Sequence, residues 1–288
     1  MPETFVGAEQ MKIPQGARDR VLARVGDQDV RASDLYQLMF VSFNRETTDA
    51  IKKSILNLIV AKEAARIGAR VPDSQIAAEQ ERLLGEQKRQ FQESYKGSLS
   101  FEDYVNVNLR LEPAAYQAVL RQAVVENLFL ERVVRFESRL EERRAARVLV
   151  VRDRTKAEAL RGDLQSGASF DSIARRESID PTREQGGLLP ALPVSFKSPL
   201  TDGIEGLAAG ELSPVLAMGD GQVTLYKIMK LEEILPADPR PYAEQEDELR
   251  TDTERRPVHP AELLAWEKKM WQRYAISDYV GREQPAAN

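Results

Sequence analysis

The sequence predicts an α+β protein with two parts: an all-α domain built from the N- and C-terminal segments, and an inserted domain in which helices pack on a small, mostly antiparallel sheet. Three observations lead to this prediction. Residues 49–67 and 113–136 carry apolar side chains at helical spacing. Residues 142–232 read as strand, helix, helix, glycine-rich loop, short helix and strand. A proline-rich linker after residue 235 leads into further helical sequence.

Length and composition restrict the classes of function. A chain of 288 residues with 42% hydrophobic residues is large enough for two domains. Its net charge of -5 argues against a nucleic-acid partner, which requires a concentrated basic face. The absence of cysteine and the single histidine, His259, argue against disulfides, a zinc site and a Ser-His-Asp triad. We therefore expect no metal and no cofactor.

Neither a membrane span nor a targeting segment is visible. No apolar run approaches the ~20 residues that a membrane helix requires. The first 20 residues contain two prolines and two glycines and lack an apolar core, so no signal peptide is visible. Either the chain is cytosolic, or the sequence begins after a removed signal.

The helical region is expected to follow a flexible segment, 1–20, and to cover residues 21–141. A hairpin is predicted around Gly26 and Asp27. The helix over 49–67 is expected to end at Gly68, and a more polar helix is expected from about Pro72 to Tyr95.

The C-terminal region is expected to form a linker and a returning helix over 236–280, followed by a disordered tail, 281–288. A polar helix is predicted from Tyr242 to Arg255, and Pro260 is expected to open another helix that carries both tryptophans. A short amphipathic helix cannot bury two tryptophans alone, so it needs a partner surface.

The inserted domain, 142–235, contains an ordered series of marker segments. These are Arg144–Val151 (RAARVLVV), Gly167–Phe170 (GASF), Glu177–Asp180 (ESID), Gly186–Leu189 (GGLL), Leu207–Glu211 (LAAGE), Ser213–Val215 (SPV) and Tyr226–Leu231 (YKIMKL). The series resembles the parvulin family of prolyl isomerases. Ser169 is expected to cap one helix of this domain, and Ser198 with Pro199 to start another.

Segments of the helical region extend the resemblance. They are Val21–Gly26 (VLARVG), Leu56–Ala65 (LNLIVAKEAA) with Ile67 and Gly68, and Val71–Ile76 (VPDSQI). Their order directly before a parvulin-like domain is similar to that of SurA-like and PrsA-like chaperones. In these families the C-terminal helix packs on the N-terminal helical domain, so the resemblance implies the same return here.

The resemblance also implies a site. Leu189, Phe196 and Leu200 would form an apolar pocket for a proline ring. The polar floor would hold Asp180, the candidate catalytic residue, with Arg147 and Lys227 where parvulins usually carry two histidines.

The two substitutions change the chemistry of that floor. Neutral imidazoles donate and accept hydrogen bonds without charge, whereas arginine only donates and stays charged. Arg147 near Asp180 would form a fixed ion pair and lower the pKa of the carboxyl group. Other interpretations stay open: Leu189, Phe196 and Leu200 as plain core, Asp180 as a turn initiator, and Arg147 and Lys227 as solvated residues.

Three hypotheses follow for function. The first is a periplasmic or otherwise extracytoplasmic holdase chaperone that binds unfolded or extended polypeptides, possibly envelope proteins, through an inactive or weakly active parvulin domain. The second is an active peptidyl-prolyl isomerase. The third is a fixed subunit of a cell-envelope assembly. The oligomeric state stays open.

Overall fold

The structure, a computed structural model, describes residues 4–8, 11, 21–31, 39, 41–97, 99–199, 201–219 and 223–274. The chain divides into two compact units. The first contains the described residues up to Val133 together with Pro241–Arg250, and the second contains Val134–Arg240 together with Thr251–Tyr274.

Helices dominate the first unit, as the apolar spacing predicted. They are α1 (Asn44–Ile67), α2 (Asp73–Tyr95), α3 (Phe101–Val107) and α4 (Pro113–Arg139), whose last turns belong to the second unit. Gly68 ends α1 in the left-handed conformation with φ 70°, which confirms the predicted end of this helix.

Two small sheets accompany these helices. Strand β2 (Val21–Val25) pairs antiparallel with β3 (Gln28–Arg31), which confirms the predicted hairpin. Strand β1 (Phe5–Gly7) pairs antiparallel with β4 (Arg70–Pro72), a sheet that the sequence did not indicate. The first unit is therefore mainly, rather than entirely, helical.

The second unit is the expected α+β fold. Its antiparallel sheet has the strand order β6-β5-β8-β7, formed by β5 (Arg143–Val151), β6 (Leu192–Pro193), β7 (Leu216–Gly219) and β8 (Thr224–Leu235). Two helices, α5 (Arg154–Gln165) and α6 (Phe170–Glu177), and a 3₁₀ helix (Pro181–Gln185) connect β5 to β6. The Ser169 side chain accepts a hydrogen bond from the Ser172 N–H, so the predicted cap of α6 is confirmed.

The two faces of this sheet bury different residues because side chains alternate along a strand. On one face, Leu149 of β5 and Ile228 of β8 pack with Phe170 and the rest of the apolar sides of α5 and α6. On the opposite face, Val148 and Met229 pack with Leu189, Ile204 and neighbouring apolar residues. This second face leads to the pocket described below.

The predicted short helix after Ser198 is wrong for the part that the structure describes, since residues 201–207 form turns. Gly203 has φ 96° and Gly206 has φ 80°. Such left-handed backbone angles interrupt a right-handed helix.

The C-terminal helices are α7 (Tyr242–Arg255) and α8 (Pro260–Tyr274), close to the predicted bounds. We expected α8 to return to the N-terminal helical domain. It lies in the compact unit that also contains the last turns of α4, where Lys269 and Arg273 of α8 form ion pairs with Glu137 of α4. There Ala261 and Ala265 cluster with Leu192 and Phe196, which supply the apolar surface that the helix requires. Within the described residues, no helix combines the length and apolarity needed to cross a membrane.

Candidate functional site

A pocket of about 560 Å³ opens on the second unit, where strands β7 and β8 meet the loop before β7. Its lining combines small, apolar and charged residues: Pro199, Asp202, Gly203, Leu216, Ala217, Met218, Gly219, Thr224 and Lys227. At Gly203, a Cβ atom would lie 2.2 Å from Leu216 Cδ1. Glycine at this position therefore lets the loop pass close to β7.

Lys227 is a buried charged residue in the lining of this pocket, with 3% of its surface exposed. Its Nζ donates to the Asp202 carbonyl oxygen at 2.7 Å and also to the Pro199 carbonyl oxygen. Burial lowers the pKa of Lys227, and the nearby charge of Asp202 opposes that shift. The ammonium group thus ties the loop to the sheet and places a positive charge at the pocket.

Arg147 does not line the pocket with Lys227. Its Nε donates to Glu232 Oε1 at 2.9 Å, its Nη1 donates to the Gly186 carbonyl at 2.8 Å, and Asp171 of α6 lies 3.5 Å from Nη1. The strand register explains this, because Val150 pairs with Lys227 and places Arg147 on the opposite face.

Asp180 stands at the start of the 3₁₀ helix. Its Oδ1 accepts hydrogen bonds from the Thr182 backbone N–H at 2.9 Å and from Thr182 Oγ1 at 2.5 Å. Among the described residues no cation pairs with Asp180, so the ion pair expected with Arg147 is not formed. The local geometry is that of a turn-initiating aspartate.

Leu189 and Phe196 are both buried, each with 5% of its surface exposed. They belong to separate clusters: Leu189 packs with Val148 and Met229, whereas Phe196 packs with Leu192 and α8. Leu200, the third residue of the predicted apolar pocket, lies outside the described residues. The structure thus does not bring Leu189 and Phe196 together, and the open pocket lies at Lys227.

Sequence reasoning missed the contribution of β7 to the pocket. Leu216–Gly219 is too short, and too poor in β-branched residues, to stand out as a strand. The available signal was the alternating pattern around Lys227 in β8. A long strand inside a sheet needs a paired strand on each side, so this pattern indicated a further strand beside β8.

Comparison with known proteins agrees with this architecture. The family model for the PPIC-type PPIase domain matches residues 120–247. The chain is 24% identical over 239 residues to foldase protein PrsA 2 of Bacillus cereus, covering 79% of this chain and 78% of that protein. It is also 24% identical over 270 residues to chaperone SurA of Methylobacillus flagellatus, covering 79% of this chain and 59% of that protein.

Residues 120–247 thus match a parvulin-type (PPIC-type PPIase) domain, and the chain is similar to PrsA and SurA proteins. Among solved structures, it resembles foldase protein PrsA from Streptococcus pneumoniae with 15% identity and a TM-score of 0.37, over 90% of this chain and 95% of that one.

The parvulin domain has no histidine at the pocket. The single histidine of the chain, His259, precedes α8, where its Nδ1 accepts a hydrogen bond from the Ala261 N–H at 3.1 Å. This is the role of a residue at a helix start. Among the described residues that line the pocket, the polar side-chain groups are the Lys227 ammonium, the Asp202 carboxylate and the Thr224 hydroxyl.

Proposed function

We propose that this SurA/PrsA-like protein is an extracytoplasmic folding chaperone that holds unfolded or extended polypeptides. In this proposal the parvulin domain serves mainly as a binding platform. The observation that carries it is the open pocket beside Lys227, which keeps a polar floor without any histidine.

The chemistry of prolyl isomerisation supports a binding role. The uncatalysed barrier is about 20 kcal/mol, and a catalyst must bind the twisted amide better than either planar form. A pair of imidazoles can donate and accept as the amide rotates. Lys227 can only donate, and two backbone carbonyls already hold it in place. A floor of this kind binds an acceptor group but adapts poorly to a rotating one.

The relatives support the biological setting of the proposal. The matched proteins carry the names foldase PrsA and chaperone SurA. We extend these names to the present chain as an expectation of extracytoplasmic clients, possibly envelope proteins. No nucleotide is invoked, because the sequence carries no phosphate-binding glycine loop.

An aggregation assay tests the holdase proposal. A chemically denatured client is diluted into buffer with the full chain, and light scattering is followed over time. We expect light scattering to fall as the concentration of the full chain is raised to a molar excess over the client. An unrelated folded protein at the same concentration is the control. Unchanged scattering at excess contradicts the proposal.

An active prolyl isomerase is the second candidate, and the match to the PPIC-type PPIase domain is the observation in its favour. Exchange spectroscopy by NMR on a panel of proline peptides, with wild type and Asp180→Ala side by side, tests it. Exchange above background that falls in the variant supports catalysis through Asp180. Exchange equal to that in buffer removes this candidate.

A further inference from the structure

Lys227 has a donor that nothing in the described structure uses. An ammonium group carries three N–H donors and no acceptor. The carbonyls of Pro199 and Asp202 accept two of them. Among the described residues no third acceptor and no carboxylate pairs with Lys227. Because Lys227 lines an open pocket, its third N–H can donate to an acceptor that enters the pocket.

The carboxylate of Asp202 does not complete this site. Its backbone carbonyl, rather than its side chain, is the group that faces Lys227 at hydrogen-bond distance. The Asp202 residue is exposed to solvent. The charge of Asp202 opposes the lowering of the Lys227 pKa, but its carboxylate makes no ion pair with Lys227 among the described residues, so the third N–H is open to a second negative group.

Strand β7 supplies a place for the backbone of such a partner. It is the last strand in the order β6-β5-β8-β7, and within the described residues it pairs only with β8. Its outer edge thus has unpaired backbone groups beside the pocket that Leu216, Met218 and Lys227 line. An extended segment can add to such an edge, while pockets beside it select side chains.

We propose that this pocket binds a carboxylate of a client polypeptide, whose extended backbone lies along the free edge of β7 and whose carboxylate accepts the third N–H of Lys227. The proposal rests on the proposed function and specifies the clients: extended segments that carry an acidic group. A carboxylate is favoured over a neutral amide because a charge-assisted hydrogen bond in a buried setting is about twice as strong.

Peptide binding to the full chain tests the proposal. Fluorescence anisotropy compares an extended, C-terminally amidated peptide carrying a central Glu with the same peptide carrying Gln, and with a Gln peptide that has a free C-terminus. We expect a carboxylate to improve affinity by about tenfold or more over the amidated Gln peptide.

Two variants locate the effect. Lys227→Met removes the ammonium and should abolish the preference. Lys230→Met is the matched control, because Lys230 lies on the same strand but contacts Glu232 on the opposite face, so its loss should leave the preference intact. The Glu and Gln comparison on wild-type protein needs no variant to fold.

The outcomes separate the two sources of a carboxylate. Preference for the central Glu assigns it to a side chain, and preference for the free C-terminus assigns it to a chain end; either one supports the proposal if it vanishes in Lys227→Met. Equal binding of all three peptides, or a preference that survives Lys227→Met, overturns it while leaving the holdase proposal standing. Failure to bind any peptide, together with failure to suppress aggregation, overturns both.

Discussion

Replacing Phe196 with alanine distinguishes a core residue from a pocket residue. The family resemblance placed this side chain in a proline pocket, whereas the structure buries it against Leu192, Ala261 and Ala265. A core role predicts a loss of stability, and a pocket role predicts a loss of peptide affinity. The two roles therefore have different measurable consequences.

The expected loss of stability depends on how far the neighbouring residues can move into the space that the Phe196 ring leaves. Phe196 is 5% exposed, and two of its partners are alanines on α8, which cannot extend into the space left behind. Ion pairs hold this helix to α4: Lys269 lies 3.3 Å from Glu137, and Arg273 lies 2.9 Å from it. With inward movement of α8 restricted, we expect Phe196→Ala to lower the free energy of unfolding by about 3–5 kcal/mol.

Guanidinium unfolding followed by tryptophan fluorescence measures this loss. Both tryptophans of the chain, Trp266 and Trp271, lie on α8, so the signal reports on the helix that covers Phe196. Leu264→Ala on the same helix is the control, because Leu264 is 50% exposed and should cost less than about 1 kcal/mol. A Phe196→Ala protein that unfolds like wild type, but binds peptides more weakly, would refute the packing argument.

Three further predictions concern single residues. Asp180→Ala should cost about 0.5–2 kcal/mol of stability through the lost cap, with peptide affinity unchanged; weaker binding at unchanged stability would contradict this. Burial lowers the pKa of Lys227, so between the lowered value and the ordinary value of 10.5 the unfolded chain binds more protons than the folded chain. The free energy of unfolding should therefore rise as the pH increases through this interval. The free energy of unfolding of Lys227→Met, measured by denaturation at several pH values, should lack that rise. An equal rise in both proteins would show that Lys227 does not cause it. Gly187→Ala, with φ 77° and a Cβ 2.3 Å from the Val148 carbonyl, should cost more than about 2 kcal/mol in a melt, whereas Gly162→Ala in α5 should not destabilise.

Local features of the fold were predictable from the sequence because they depend on neighbours within one helical turn. The apolar spacing of α1, its left-handed end at Gly68 and the cap of α6 at Ser169 all appear where the sequence indicated. The first part of the parvulin domain, a strand followed by two helices, was predictable for a related reason, since turns and caps separate these segments.

The site depended on contacts that local patterns do not encode. Arg147 was matched to a histidine position, yet the pairing of Val150 with Lys227 places Arg147 on the other face of the sheet. A shift of one residue along a strand reverses the face of every side chain, and only the pairing with β8 decides it.

The sequence by itself determined the α+β class, most of the helices, and the lack of a histidine in the parvulin domain. Tertiary structure alone decided which residues are accessible. Phe196 is covered because α8, far away in sequence, packs on it, and Lys227 lines a pocket because the loop carrying Pro199 and Asp202 folds over β8. Burial is a property of surfaces brought together from distant parts of the chain, so no local pattern can specify it.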